Sequence, residues 1–163
     1  MIEKNNKPTV YLETTIPSFY FSEREEPEMV AIRDWTREWW QRERGKYELV
    51  SSVAVLDELR QGDHPGQENK IRLLDSARLL PVVVETDSLV EAYLEHRLMP
   101  RNNLADARHL AVATYHRCDF LLTWNCRHLA NGNKLRHLRK INDGLGLPSP
   151  DLVTPLELME DSP

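Results

Sequence analysis

A chain of 163 residues, 40% of them hydrophobic, with ten prolines and six glycines, has the length of one packed domain and none of the marks of collagen-like or low-complexity sequence. Its 21 Lys and Arg against 26 Asp and Glu give a formal net charge of −5. That balance argues against a broadly basic nucleic-acid binder but leaves room for a basic patch on an acidic background.

The elements follow in chain order. Thr9–Leu12 is a short β-rich run between Pro8 and a turn at Pro17. Met29, Ile32, Trp35 and Trp39 then recur at helical spacing in a charged segment that stops at Gly45. This spacing puts Trp35 and Trp39 in the core and leaves Trp40 off the stripe, free to reach a partner. Tyr47–Val50 reads as a second strand, and Ser51-Ser52 supplies a cap for a helix over Val53–Arg60. A loop containing Gly62, Pro65 and Gly66 precedes a helix over roughly Glu68–Ala77. Pro81–Val84 reads as a third strand, its continuous β-branched residues pointing to burial on both faces. Thr86 or Asp87 caps a helix running to about Leu98, Pro100–Asn103 turns, and Leu104–Arg117 is an Ala-rich helix. Phe120–Thr123 and Asp151–Val153 are the fourth and fifth strands, with a short terminal helix from Pro155. Strands alternating with helices predict an α/β fold, a three-layer sandwich whose central parallel sheet of four to five strands is flanked by helices. One domain across 1–163 is expected.

Cys118 and Cys126 are too few for a disulfide framework and match no CxxC spacing; they read as reduced thiols in or near a core. The N-terminal Met-Ile-Glu-Lys-Asn-Asn-Lys-Pro has no apolar stretch behind its lysines, and Pro81 breaks the longest apolar run, Leu79–Val84. No secretory leader and no membrane span are expected, and a cytoplasmic setting follows.

In a doubly wound sheet, sites form outside the carboxyl ends of the strands. Glu13 follows the first strand directly, Glu58 lies in the helix after the second, and Asn125 follows the fourth. Asp106 lies in the first turn of the Ala-rich helix, whose positive end favours a carboxylate. Carboxylates with an amide and hydroxyls make a hard-oxygen set suited to Mg²⁺ or Mn²⁺. Such ions turn water into a nucleophile and offset charge on a phosphodiester. Any one of these acids alone reads equally well as a solvated charge, and Asp106 as a helix-capping acid. What singles out the four is the common edge of the sheet on which they fall. His109 reads as a structural hydrogen-bonder rather than a ligand.

Val-Tyr-Leu-Glu-Thr-Thr-Ile-Pro-Ser, Ser-Ser-Val-Ala-Val-Leu-Asp-Glu-Leu, Ala-Asp-Ala-Arg-His-Leu-Ala-Val-Ala and Phe-Leu-Leu-Thr-Trp-Asn-Cys-Arg-His-Leu together resemble the motifs of PIN-domain ribonucleases. Among these they are most similar to the VapC-type toxins of bacterial toxin–antitoxin pairs. The resemblance spans about residues 9 to 158 with the motifs in family order. It implies a PIN-like parallel sheet and a Mg²⁺- or Mn²⁺-dependent endoribonuclease. By position it makes Glu13, Glu58 and Asp106 the metal-holding acids, with Asn125 where a fourth acid is often found and Thr14 and Thr123 as nearby hydroxyls. A homodimer and an inhibitory antitoxin protein are the partners it implies. Two departures stand out: Glu13 is one methylene longer than the usual Asp, and Asn125 removes a charge. With three carboxylates, a single firmly held ion is expected.

From Arg127 to Lys140 the chain carries Arg127, Lys134, Arg136, Arg139 and Lys140, two histidines and no acid. Read functionally, Arg127, His128, Lys134, Arg136 and Arg139 track RNA phosphates; read structurally, Lys134–Ile141 is a solvated helix packing through Leu135, Leu138 and Ile141. The departures at Glu13 and Asn125 also support a second reading, a catalytically weak or inactive PIN-like domain that binds RNA or a protein without cleaving.

Overall fold

The computed structural model describes residues 6–160; the extreme ends of the 1–163 span, and most of the N-terminal segment read for a leader, lie outside the described residues. Five short runs form strands: β1 (Thr9–Leu12), β2 (Glu48–Ser52), β3 (Arg78–Leu80), β4 (Phe120–Leu122) and β5 (Asp151–Val153). They pair in parallel in the order β3-β2-β1-β4-β5. The flanking helices are α1 (Thr15–Tyr20), α2 (Pro27–Arg42), α3 (Val53–Arg60), α4 (Gln67–Leu73), α5 (Val84–Glu95), α6 (Leu104–Tyr115) and α7 (Gly132–Gly144). This is the α/β architecture that the alternating pattern predicts. No helix among the described residues is long and apolar enough to cross a membrane.

The order of the strands positions the site. The chain winds from β1 outward through β2 to β3, then returns to lay β4 and β5 on the other side of β1. A crevice therefore opens at the carboxyl ends of β1 and β4, where the winding reverses. Val10, Tyr11, Leu12, Leu121 and Leu122 in these central strands are fully buried, which is why both read as unbroken apolar runs. Leu12 is in register with Leu122, so Glu13 and Thr123 emerge side by side. The Glu13 N–H continues the ladder to the Leu122 carbonyl at 3.2 Å.

Several local expectations are corrected. The third strand is Arg78–Leu80, at the sheet edge, with Arg78 and Leu79 exposed, not Pro81–Val84 buried on both faces. Pro81 has no N–H to extend the ladder. The Val83 N–H donates to Thr86 Oγ1 at 3.1 Å, starting α5 at Val84, which is 72% exposed. The turn expected at Pro17 is helix α1, because proline is tolerated in a first turn, where its missing N–H has no helical partner. Ser52 stands at the start of α3 but does not cap it; its Oγ lies 2.7 Å from Tyr11 Oη, while Ser51 Oγ donates to the Leu12 carbonyl. The segment from Pro155 is one hydrogen-bonded turn rather than a helix. It is closed by the Glu157 carboxylate accepting from the Thr154 N–H at 3.0 Å. On α2 the buried residues are Thr36, Trp39 and Trp40. Trp40 therefore packs inside, edge-on to Tyr20, while Trp35 is half exposed and stacks on Trp124. Cys118 is buried, but Cys126 lies on the surface.

One polar knot sits deep in the α5–α6–α7 packing. Asn142 Oδ1 accepts from Tyr93 Oη at 2.8 Å, and its Nδ2 donates to Ser149 Oγ at 2.9 Å. Asn142→Ala removes the bonds to Tyr93 and Ser149 and leaves a void, while Tyr93 Oη keeps Thr114 Oγ1 at 3.1 Å; urea denaturation should register a loss of about 1–3 kcal/mol. A loss below about 0.5 kcal/mol would contradict this role of the knot.

Candidate metal centre

The crevice between β1 and β4 collects side chains from four stretches of sequence. Glu13 comes from the end of β1, Glu58 from α3, Asp106 and His109 from α6, and Thr123 and Asn125 from the end of β4. Glu13, Glu58 and His109 each offer a ligand atom, all within 4.8 Å of one another. Asp106 lies close enough to feel the charges of Glu58 and His109.

Each acid is oriented through one of its oxygens. Glu13 folds back on its own chain: Oε2 accepts from the Thr15 N–H at 3.0 Å, Thr15 Oγ1 at 2.5 Å and Thr123 Oγ1 at 2.8 Å. Thr15 Oγ1 in turn accepts from the Trp124 N–H at 2.8 Å, tying α1 to the end of β4. Glu58 Oε1 meets His109 Nε2 at 2.5 Å. Asp106 Oδ2 accepts from Asn125 Nδ2 at 3.2 Å, and Asn125 Oδ1 accepts from the His128 N–H at 3.1 Å. These hydrogen bonds hold Glu13 through Oε2, Glu58 through Oε1 and Asp106 through Oδ2, and Thr14 and Asn103 also bear on Glu58 and Asp106.

His109 has no nitrogen to spare. Its ring is fully buried, with Nδ1 2.8 Å from Tyr11 Oη and Nε2 on Glu58. It is the hydrogen-bonder that the sequence indicates, but its partner is one of the acids of the site. Thr14 Oγ1 is buried beside Glu58 without a well-formed hydrogen bond, an orphaned oxygen of the kind a hydrated cation satisfies. Two carboxylates at ligand spacing, a third acid outside that group but within reach of their charge and the Thr14 hydroxyl fit a hard divalent ion such as Mg²⁺ or Mn²⁺.

The charges respond to burial and to one another. Burial pushes the Glu13 and Asp106 carboxyls above their ordinary values, against the pull of the His109 charge. Burial also works against Glu58, but the hydrogen bond and charge of His109 outweigh it and hold Glu58 below its ordinary value. Burial alone would lower His109; the bond to Glu58 and the charges of Glu13, Glu58 and Asp106 raise it instead.

The residues expected to follow RNA separate. His128 and Lys134 face Asp106 closely enough to feel its charge. Arg127 and Arg136 are exposed. Arg139 pairs with Asp151 at 2.8 Å. Asp151 is the first residue of β5, at the amino edge of the sheet and so opposite the crevice. Sequence reasoning missed Thr15 and the Tyr11–His109 pair. The Glu-Thr-Thr string offered two hydroxyls, and the one whose N–H lies two residues on is the one a folded-back carboxylate reaches.

The sequence matches the PIN domain family over residues 10–131, and the chain belongs to that family. No curated protein sequence matches it significantly. Among solved structures it is similar to a toxin–antitoxin complex from Klebsiella pneumoniae, with 18% identity, a TM-score of 0.56, and coverage of 77% of this chain and 93% of that one. It is also similar to VapC20 of Mycobacterium tuberculosis, a sarcin–ricin loop cleaving toxin, with 16% identity, a TM-score of 0.53, and coverage of 69% and 86%. FitAcB from Neisseria gonorrhoeae aligns with 12% identity and a TM-score of 0.53, covering 79% and 92%. At these identities the likeness is one of fold.

Removing metal exposes the proton linkage. His109, raised above about 6.5, stabilises fully below that pH and loses the contribution as pH climbs through its folded value. Raised Glu13 and Asp106 act in the same direction, since the folded state holds their protons longer; Glu58 acts oppositely and only toward acid pH. Chelator-treated protein should therefore be less stable to urea near pH 8.5 than near pH 6, and His109→Gln should flatten the difference. Equal stability of the unsubstituted protein at both pH values would contradict the assignment.

Proposed function

We propose that this PIN-domain protein is a metal-dependent endoribonuclease, a single domain across 1–163 acting as the toxin of a toxin–antitoxin pair. The observation that carries the proposal is the grouping of Glu13 and Glu58 with His109 at the β1–β4 crevice, ligand atoms within 4.8 Å of one another, with Asp106 outside that group but near enough to feel the charges of Glu58 and His109. In this reading the three carboxylates hold one Mg²⁺ or Mn²⁺, which when bound would supply Lewis-acid stabilisation and an activated water for phosphodiester hydrolysis. Thr15 and Thr123 keep Glu13 folded inward, His109 orients Glu58, and Asn125 positions Asp106. Thr14 completes the crevice with a hydroxyl. Arg127, His128, Lys134, Arg136 and Arg139 are the cations proposed to meet RNA, and the geometry favours His128 and Lys134 among them.

An RNA substrate draws support from the likeness to the loop-cleaving toxin, and a protein antitoxin from the likeness to the toxin–antitoxin complex. A homodimer and a cytoplasmic setting belong to the same reading. One observation favours the binding-without-cleavage alternative: Asn125 spends its amide on Asp106 and its oxygen on the His128 N–H, so it lends no charge to the crevice. Asn125→Asp separates the two, because a protein that is silent until Asn125→Asp restores cleavage is a binding module.

The direct test is cleavage of a mixture of single-stranded RNAs in Mg²⁺, Mn²⁺ or EDTA. Cleavage should require the metal, and Asp106→Asn should reduce it by at least about a hundredfold with an unchanged or higher unfolding midpoint. Metal-independent cleavage, or full activity of Asp106→Asn, would overturn the proposal.

A further inference from the structure

Resting on that reading, we infer that a groove between the end of α5, the Pro100–Asn103 turn and the start of α7 is a seat for an RNA phosphate flanking the cleavage point, with Arg97 and Arg101 as contacts. The groove holds about 760 Å³ and is lined by Arg97, Leu98, Arg101, His128 and Lys134, among others. That volume falls in the range of ligand pockets, roughly 300–1,000 Å³. Arg97, Arg101 and Lys134 bring positive charge to it, against the single acid Glu95.

The groove neighbours the crevice through His128 and Lys134, which line it and lie near enough to Asp106 to feel its charge. Asp106 is bonded to Asn125, Asn125 to the His128 backbone, and His128 lines the groove. On the far wall the Lys134 ammonium donates to the Leu98 carbonyl, which fixes it between α5 and α7. Asn131 caps α7, its side chain accepting from the Asn133 and Lys134 N–H groups, so the helix start that carries Lys134 is itself anchored. A strand lying across Glu13, Glu58 and Asp106 meets concentrated negative charge; Arg108 acts on Glu58 from α6, and the cations of this groove add positive charge on the Asp106 side.

Arg97 enters the groove from a helix stop. It follows α5 with φ 56°, in the left-handed region that favours glycine, while the Leu98 N–H returns to the Tyr93 carbonyl at 2.9 Å. Arg117 ends α6 in the same way, with φ 57° and the Cys118 N–H on the Ala113 carbonyl at 2.9 Å, so the conformation is a helix stop that the fold uses twice and only the groove lining distinguishes Arg97. Arginine there places a guanidinium on the groove. The α7 cations do not substitute for it: Arg136 lies two residues from Lys134, about 200° around the helix axis, and Arg139 is engaged by Asp151 at the opposite sheet edge.

The experiment is fluorescence anisotropy of a short labelled oligouridylate, measured in EDTA across a salt series so that no cleavage intervenes. Arg97→Gly/Arg101→Ala should weaken binding about tenfold and flatten the salt slope by about one, without a fall in unfolding midpoint, since glycine suits the Arg97 backbone. Arg78→Ala/Arg117→Gly, two exposed cations at the amino edge of the sheet, opposite the crevice, should change binding less than about twofold. Equal losses in both pairs, or none in the first, overturn the groove while leaving metal-dependent cleavage standing. No binding by the unsubstituted protein overturns the groove and the RNA reading together. Binding of an oligoglutamate peptide through Arg97 and Arg101 in preference to the RNA would make the groove a protein-docking site and overturn the inference too.

Discussion

The contact between Glu58 and His109, 2.5 Å long with the imidazole fully buried, conditions the rest of the site. A crevice that gathers Glu13, Glu58 and Asp106 out of water faces a large desolvation cost and mutual repulsion unless positive charge lies among them. His109 lies among them, raised above its ordinary value by the bond to Glu58 and the charges of Glu13, Glu58 and Asp106, and its protonated form supplies that charge. Tyr11 Oη meets the other ring nitrogen, Nδ1, and Ser52 meets Tyr11, so β1, β2, α3 and α6 converge on one hydrogen-bonded chain. This buried relay gives Glu58 its orientation without spending any ligand atom that faces the crevice.

The same constraint explains the neighbouring polar residues. Glu13, longer than an aspartate, is kept from reaching outward by Thr15 and Thr123, which pin one oxygen. Asn125 serves two neighbours at once, donating to Asp106 and accepting from the turn at His128. An aspartate in its place would replace that donor N–H with a second carboxylate against Asp106. The departures from the usual acid pattern therefore have a local logic: both are built into hydrogen bonds that arrange the remaining carboxylates.

How much of this was legible in the sequence depended on distance along the chain. Glu13 and Asn125 could be placed because they directly follow apolar runs that only a buried parallel strand explains, and Asp106 because it opens an unmistakable helix. The edge strand β3 was missed because its exposed Arg78 and Leu79 carry no burial pattern, while the more apolar valines beyond Pro81 belong to a helix start. Trp40 was misplaced because the stripe on α2 runs through Thr36, Trp39 and Trp40, and a buried threonine does not register as hydrophobic. Its hydroxyl accepts from Trp124 Nε1 and donates to the Ile32 carbonyl. Arg97 and Arg101 were invisible for another reason: they join His128 and Lys134 only through tertiary packing, whereas the basic run that stood out by composition divides between two edges of the sheet. The net charge of −5 thus conceals an acidic crevice with a cationic groove beside it.

The central claim is that Glu13, Glu58 and Asp106, and not His109, hold a divalent ion at the β1–β4 crevice. The most direct measurement is a crystal structure of the Mn²⁺-soaked protein with anomalous scattering recorded for manganese. The account requires one strong peak bounded by these three carboxylates, with His109 still bonded to Tyr11 and Glu58. A peak ligated by His109, or no peak in the crevice at saturating Mn²⁺, would contradict it.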